Sequence, residues 1–176
     1  MSEQYVGGGI AWFSIHSDHP SVDNQTVPGI SLLYGVRRHN HVFELSLGGG
    51  SGVNVGPVED PNYPADSADY MYFSLSYHYQ FRNLAPSNNF TPYIGVGYSF
   101  NSISWQNYVY DISGDGLSIN AGAIFQIQTQ WSINLVFRHI SFSGERILFV
   151  SADYPDYDTV VNEFAASLVY HFSINR

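Results

Sequence analysis

The segment Phe137-Arg138-His139-Ile140-Ser141-Phe142 carries an imidazole and a hydroxyl two residues apart, the minimum for general-base activation of a serine nucleophile. In an extended chain alternate side chains share a face, so His139 and Ser141 project together. Such a pair could cleave an acyl ester if a carboxylate oriented the imidazole. Glu163 has the opposite parity, and its neighbour on the required side is Asn162. Asp158 or Glu145 could serve only by folding back from a loop. The competing expectation is that His139 replaces an interfacial tyrosine and that Ser141 marks a membrane rim.

A second constellation is ionic. Glu44, Arg138 and Glu163 are the only charged residues well inside segments of alternating polarity. Their parity points them to the polar face, and counting back from the turn near Thr129 sets Arg138 opposite Glu163. In a low-dielectric interior an unpaired charge is costly and a hydrogen-bonded pair tolerable. An interior ionic network is therefore expected, which either orders a core or gates a thin water path. Asp111-Ile112-Ser113-Gly114-Asp115-Gly116 has alternating oxygen ligands, like the opening of a calcium loop. An EF-hand would need Glu at the twelfth position, where Gly122 stands. A polar hairpin loop is the simpler expectation for that segment, and Asp153, Asp156 and Asp158 could likewise gather a cation. Seven histidines show no ligand spacing, and no cofactor is called for. Gly7-Gly8-Gly9 and Gly48-Gly49-Gly50 precede no Lys or helix, so they relieve crowding rather than cradle phosphate.

Strands must position these residues. Period-two segments run near 4–16, 28–38, 41–50, 69–82, 91–104, 116–128, 130–143 and 159–172, each long enough for a tilted membrane strand. On the fourth, Met71, Phe73, Leu75, Tyr77, Tyr79 and Phe81 oppose Tyr72, Ser74, Ser76, His78 and Gln80. Charged residues make up only 12%, about half the ~25% usual for a soluble domain, while no run approaches the ~20 apolar residues of a membrane helix. The polar face is rich in Ser, Gly, Asn and Gln, suited to a narrow hydrated interior rather than to a water-facing surface. A lipocalin-like barrel, with polar residues outside, is thereby disfavoured. The expected fold is all-β, a single domain over 1–176: an eight-stranded antiparallel transmembrane β-barrel in an up-and-down meander.

Connections near Arg38-His39-Asn40, Asn83 to Asn89 and Thr129 are short, whereas those near 17–27, 51–68, 105–115 and 144–158 are longer. Short turns are periplasmic and long loops extracellular in such barrels, so both termini are expected in the periplasm. Charge agrees: most acids lie in or beside the long loops, and Arg37, Arg38, Arg82 and Arg176 lie at the other end. Tyr5, Tyr79, Phe81, Tyr93, Trp131, Tyr170 and Phe172 cluster toward the turn end and are expected to form an aromatic girdle. The net charge of −9, with no lysine, argues against nucleic acid. Absence of cysteine removes disulfide and thiolate chemistry. Met1 is read as standing in place of a removed leader.

Pro92-Tyr93-Ile94-Gly95-Val96-Gly97-Tyr98, Gly116-Leu117-Ser118-Ile119-Asn120-Ala121-Gly122-Ala123 and Leu168-Val169-Tyr170-His171-Phe172 resemble small outer-membrane barrels of the OmpA/OmpX/opacity-protein kind. The likeness covers nearly the whole chain, although Ser173 to Arg176 follow the aromatic at which the family typically ends. It implies an interior ionic network that blocks or gates a water path. The His-x-Ser element also resembles PagL-type lipid A deacylases, which follow the serine with Asn where this chain has Phe142. The function expected first is a non-enzymatic, monomeric outer-membrane protein of envelope integrity or surface interaction. Its partners would be outer-membrane lipid, lipopolysaccharide and a host or cell-surface ligand. The alternatives are the deacylase using His139 and Ser141, and a narrow gated channel.

Overall fold

A computed structural model describes residues 2–18, 22–55, 66–82, 89–105, 111–147 and 157–173. Eight strands follow one another: β1 (Glu3–Ser17), β2 (Gln25–Arg38), β3 (His41–Val55), β4 (Asp66–Gln80), β5 (Phe90–Trp105), β6 (Asp111–Gln128), β7 (Trp131–Ile147) and β8 (Tyr157–Ser173). Each pairs antiparallel with its chain neighbours, and β8 closes on β1 through the register Tyr5↔His171 and Phe13↔Glu163. Closure leaves no unpaired sheet edge. The short turns at 39–40 and 129–130 share one end of the barrel with the start of β1 and the finish of β8. That end is called the terminal end below, and the opposite one the loop end.

Three strands run four or more residues further than their alternation suggested. Residues 51–55, 111–115 and 144–147, expected in loops, continue β3, β6 and β7. The reason is a reversal of polarity across the barrel wall. In the terminal half, the outward residues are apolar, such as Leu32, Phe43, Leu75, Ile94, Ile119 and Leu168, all at least 40% exposed. The inward ones there are Ser31, Ser46, Ser76, His78, Asn134 and Ser167. Toward the loop end the assignment inverts. Ser14, Thr26, Ser51, Ser102, Ser141 and Asp158 face out, while Phe13, Val27, Val53, Ile103, Ile140 and Val161 are buried inside. A period-two search tuned to apolar-out strands loses the signal where the sign changes.

The barrel is thus built for two solvents. Its terminal half has the apolar exterior of a membrane protein, and its loop half has the polar exterior and packed apolar core of a water-soluble barrel. Aromatic pairs mark both edges of the apolar belt. Trp131 packs on Tyr170 at 5.0 Å and Tyr79 on Phe81 at 5.0 Å near the turns, while Trp12 meets Phe164 at 6.3 Å where the polar collar begins. On β8 the belt from Phe164 to Phe172 spans eight steps, about 20 Å of membrane at ~3.3 Å per residue and a tilt near 40°.

Two members of the expected girdle lie elsewhere. Tyr5 and Tyr93 are 5% and 3% exposed and point into the lumen, because their parity matches that of Ala11 and Ser99 rather than of Val6 and Ile94. Each interior ring occupies the space above a glycine on the adjoining strand. A Cβ on Gly35 would lie 2.1 Å from the Tyr5 ring, one on Gly122 2.5 Å from Tyr93, and one on Gly48 2.5 Å from Tyr72. The glycine triplet 48–50 therefore makes room for Tyr72 and, at Gly50, for Phe13.

The inverted core predicts an asymmetry between isoleucines. Ile140→Ala, inside the loop half, should lower the unfolding free energy in lipid vesicles by about 2–4 kcal/mol, as for other enclosed aliphatic truncations. Ile119→Ala, 63% exposed on the belt, should cost under about 1 kcal/mol, since lipid fills the space left. Equal losses in urea titrations would refute the packed upper core.

Candidate functional site

The lumen of the terminal half holds a layer of enclosed polar groups contributed by six strands. Arg138 on β7 is 2% exposed, and Glu163 on β8 and Glu44 on β3 are 0–2% exposed. Arg138 Nη1 donates to Glu163 Oε2 at 2.6 Å, and Nη2 lies 3.7 Å from Glu44 Oε1. Its Nε donates to Asn120 Oδ1 on β6 at 3.0 Å, and Nη1 also reaches the Tyr72 hydroxyl on β4. Tyr72 in turn donates to Glu163 Oε1 at 2.9 Å, and its ring lies 5.0 Å beneath the guanidinium carbon. Tyr5 on β1 donates to Glu44 Oε2 at 2.7 Å. One guanidinium faces two carboxylates, so the formal excess is one negative charge, offset by the phenol donors.

This layer is enclosed from both sides. Toward the loop end stand Phe13, Ile140, Val161 and the rest of the apolar core. Toward the terminal end a cavity of about 10 Å³ lies between Tyr5, Glu44, His78, Tyr93, Asn134 and His171, which is room for about one water. Beyond it a second cluster ties the closing seam together. Ser132 Oγ on β7 lies 2.7 Å from His171 Nε2 on β8, and His171 Nδ1 lies 2.7 Å from Glu3 Oε1 on β1. Arg37 on β2 closes on the other oxygen of Glu3. The Nδ1 contact is ionic when the imidazole is protonated, and its alignment is not that of a hydrogen bond.

Ser132, His171 and Glu3 have the connectivity of a nucleophile, base and acid. Ser132 is fully buried, however, and the adjoining void is far too small for an ester, so the chain of contacts braces β7, β8, β1 and β2. No local pattern joins these residues, because Glu3 and His171 lie at opposite ends of the chain and Ser132 stands 39 positions before His171. Only the closure register of β8 on β1 would have revealed the pair across the seam.

His139 and Ser141 face outward from β7, just past Phe137 at the loop edge of the apolar belt. His139 Nδ1 lies 2.8 Å from Asn162 Oδ1, its register partner on β8. No hydrogen bond joins His139 to Ser141 among the described residues. Asp158 accepts from Ser143 at 2.5 Å instead of approaching the imidazole, and the Glu145 side chain lies outside the described residues.

The segment expected as a polar hairpin loop, with a cation site as the alternative, is strand instead. Asp111 to Gly116 are strand residues paired to Ser104 through Ser99, so Asp111, Ser113 and Asp115 are spread along an extended ribbon instead of wrapping a centre. Asp153 and Asp156 lie outside the described residues, and Asp158 is engaged as above. No group of three His, Asp or Glu residues among the described ones could hold a metal ion.

An enclosed polar lumen, an apolar outer belt edged by aromatics and a closed next-neighbour meander together define an integral outer-membrane β-barrel. The chain belongs to the outer membrane protein beta-barrel domain family, whose pattern it matches over residues 2–172. Among solved structures it is similar to Neisserial surface protein A, NspA, at 16% identity and a TM-score of 0.67, covering 96% of this chain and 97% of that one. It is similar also to Ail, the attachment invasion locus protein of Yersinia pestis, at 15% identity and 0.62, covering 97% and 99%. The outer membrane protein OprG from Pseudomonas aeruginosa aligns at 13% identity and 0.66, covering 97% and 95%. At these identities the likeness is one of fold. No curated protein matches the sequence.

Removing the cation alone from the ionic layer should be worse than removing the whole pair. Arg138→Met strands Glu44 and Glu163 without a counter-charge and should cost about 3–5 kcal/mol. Arg138→Met combined with Glu163→Gln should recover at least half of that loss in urea titrations. An additive or worse double mutant would show that the carboxylate does not depend on the guanidinium.

Proposed function

We propose that this barrel is a non-enzymatic, non-conducting surface protein. It holds its loops and polar collar above the outer leaflet, with both termini in the periplasm. The observation that supports this reading is the inverted loop half. A tube filled with Phe13, Ile103, Ile140, Phe142 and Val161 offers water no path, whereas its polar exterior extends the wall beyond the apolar belt as a rigid pedestal. Removing the cation should therefore open nothing: Arg138→Ser in planar bilayers should be as silent as the unaltered protein. A new conductance would favour the gated-channel alternative.

The orientation can be tested because the chain has no cysteine of its own. Asp18→Cys and Asp115→Cys should react with a membrane-impermeant maleimide on intact cells, and Asn40→Cys only after lysis. The opposite labelling would reverse the topology.

Loop-end charge narrows the ligand. Ail was solved with the heparin analogue sucrose octasulfate. Here Asp18, Asp23, Asp115 and Asp158 are exposed at the loop end and the net charge is −9. Such a surface repels polysulfates and favours neutral or basic partners. Immobilised heparin should therefore retain none of the folded protein at physiological salt; saturable retention would overturn this preference.

One contact supports a second reading, that of an acyl-ester hydrolase. Asn162 orients His139 much as an amide orients histidine in cysteine proteases. Lipid A incubated with the refolded protein should stay intact by mass spectrometry if the barrel is non-enzymatic. Loss of an acyl chain that disappears with Ser141→Ala would establish the hydrolase.

A further inference from the structure

The enclosed layer carries a charge that its own groups do not cancel. Arg138 is the only cation in it among the described residues, and it serves its two carboxylates unequally. Nη1 donates to Glu163 at 2.6 Å, whereas Nη2 stops 3.7 Å from Glu44. Glu44 is left with the Tyr5 hydroxyl, which supplies a dipole and no charge. His78 does not make up the difference. Arg138 Nε occupies Asn120 Oδ1, so that amide turns its Nδ2 toward Ser76 Oγ at 3.1 Å and His78 Nε2 at 3.3 Å. A ring nitrogen that accepts has no proton, and His78 is therefore neutral. The charges nearer the terminal end are already matched: Glu3 closes on Arg37, His171 adds a charge only when protonated, and Arg82 is exposed to solvent.

The cavity of about 10 Å³ lies against this under-compensated carboxylate, and its border is rich in acceptors. Gln80, 2% exposed, lines it with an Oε1 that meets no donor among the described residues. Tyr5 and Tyr93 line it too, and each phenol has committed its single proton elsewhere, to Glu44 and to Asn134 Oδ1. Their oxygens can then only accept. A water would bring donors to this set but no charge, whereas a cation brings both the acceptor-seeking field and the missing charge. Oxygen donors select a hard ion, and an excess of one negative charge selects a monovalent one. Calcium takes about six to eight oxygen ligands and magnesium keeps several of its waters, for which a void of one-water size has no room. A monovalent ion needs no trio of carboxylates or imidazoles.

We propose that the cavity between Glu44, Gln80, Tyr5 and Tyr93 is a site for one alkali-metal cation, bound by the Glu44 carboxylate and Gln80 Oε1 with the two phenol oxygens around it. The ion is the counter-charge that lets two enclosed carboxylates share one guanidinium. The site depends neither on the orientation of the barrel nor on what its loops contact.

The experiment uses sodium as the probe. The full chain, folded into phosphocholine vesicles, is titrated with urea in mixtures of sodium and choline chloride of constant total concentration. At about pH 8, above the ordinary histidine range, His171 contributes no competing charge. One bound ion can raise the folded-to-unfolded ratio at most ten-fold for each ten-fold rise in sodium, and a rise of about three- to ten-fold is expected between about 10 and 100 mM. Glu44→Gln removes the charge that the ion answers and should abolish the sodium response. Gln80→Leu removes Oε1, keeps the charge, and should reduce the response to less than about two-fold; it carries the assignment if Glu44→Gln does not fold. A flat sodium response in the unaltered protein, or a full response that survives in a folded variant at either position, would overturn the proposal.

Discussion

Eight strands close into a tube so narrow that its interior must be filled by its own side chains. Every inward residue is chosen under that constraint, and so are the glycines. Large rings such as Tyr5, Tyr72 and Tyr93 fit where the paired residue on the adjoining strand contributes no Cβ, as at Gly35, Gly48 and Gly122. The rings in turn carry hydroxyls across the lumen to Glu44, Glu163 and Asn134. Filling the tube and satisfying its polar groups are therefore one task, accomplished by the same tyrosines. A phenol is suited to it because it combines a large apolar body with a single directional donor.

The same narrowness explains why two kinds of interior coexist in one barrel. Within the belt the exterior is hydrocarbon, so apolar side chains gain little by turning inward and the lumen can hold the polar set. Above the belt the exterior is water, and burial of Phe13, Ile15, Val53 and Ile140 again has a hydrophobic driving force. The reversal recurs around the wall: after Trp12 on β1, Phe100 on β5 and Phe137 on β7 the next outward residue is polar. The level of the membrane surface is thus written into both faces of the wall at once.

Much of this was legible in the sequence wherever the alternation kept one sign. The alternation of Met71 to Gln80 on β4 and of Leu117 to Ile127 on β6 separates their two faces by period alone, and the run Trp131, Ile133, Leu135, Phe137 carries His139 and Ser141 outward with it. Three things were not legible. Tyr5 and Tyr93 are amphipathic, so residue type could not say whether the phenol met a headgroup or a carboxylate. The strand extensions at 51–55 and 111–115 carry the opposite sign of alternation and include the register shift beside Gly52, φ 88°, which together look like loop. The brace of Ser132, His171 and Glu3 depends on barrel closure, a relation between chain ends that no local window contains.

The ionic layer is better understood as a selector of register than as a source of stability. Enclosing Arg138 with two carboxylates gains little over a well-packed apolar filling of the same volume, because desolvation consumes most of the attraction. A slipped alignment is a different matter. Shifting β7 by one residue turns Arg138 to the lipid face and brings outward-facing Phe137 into the lumen. At the loop edge of the belt a lipid-facing guanidinium costs only about 0–1 kcal/mol, so most of the penalty comes from Glu44 and Glu163, left enclosed without their counter-charge. Because Tyr72, Asn120 and Glu163 bind Arg138 from β4, β6 and β8, the penalty falls on any strand that slips, not on β7 alone. Flat alternation of small polar residues such as Ser74, Ser76 and Ser118 would tolerate such slippage, and the single buried cation is what forbids it.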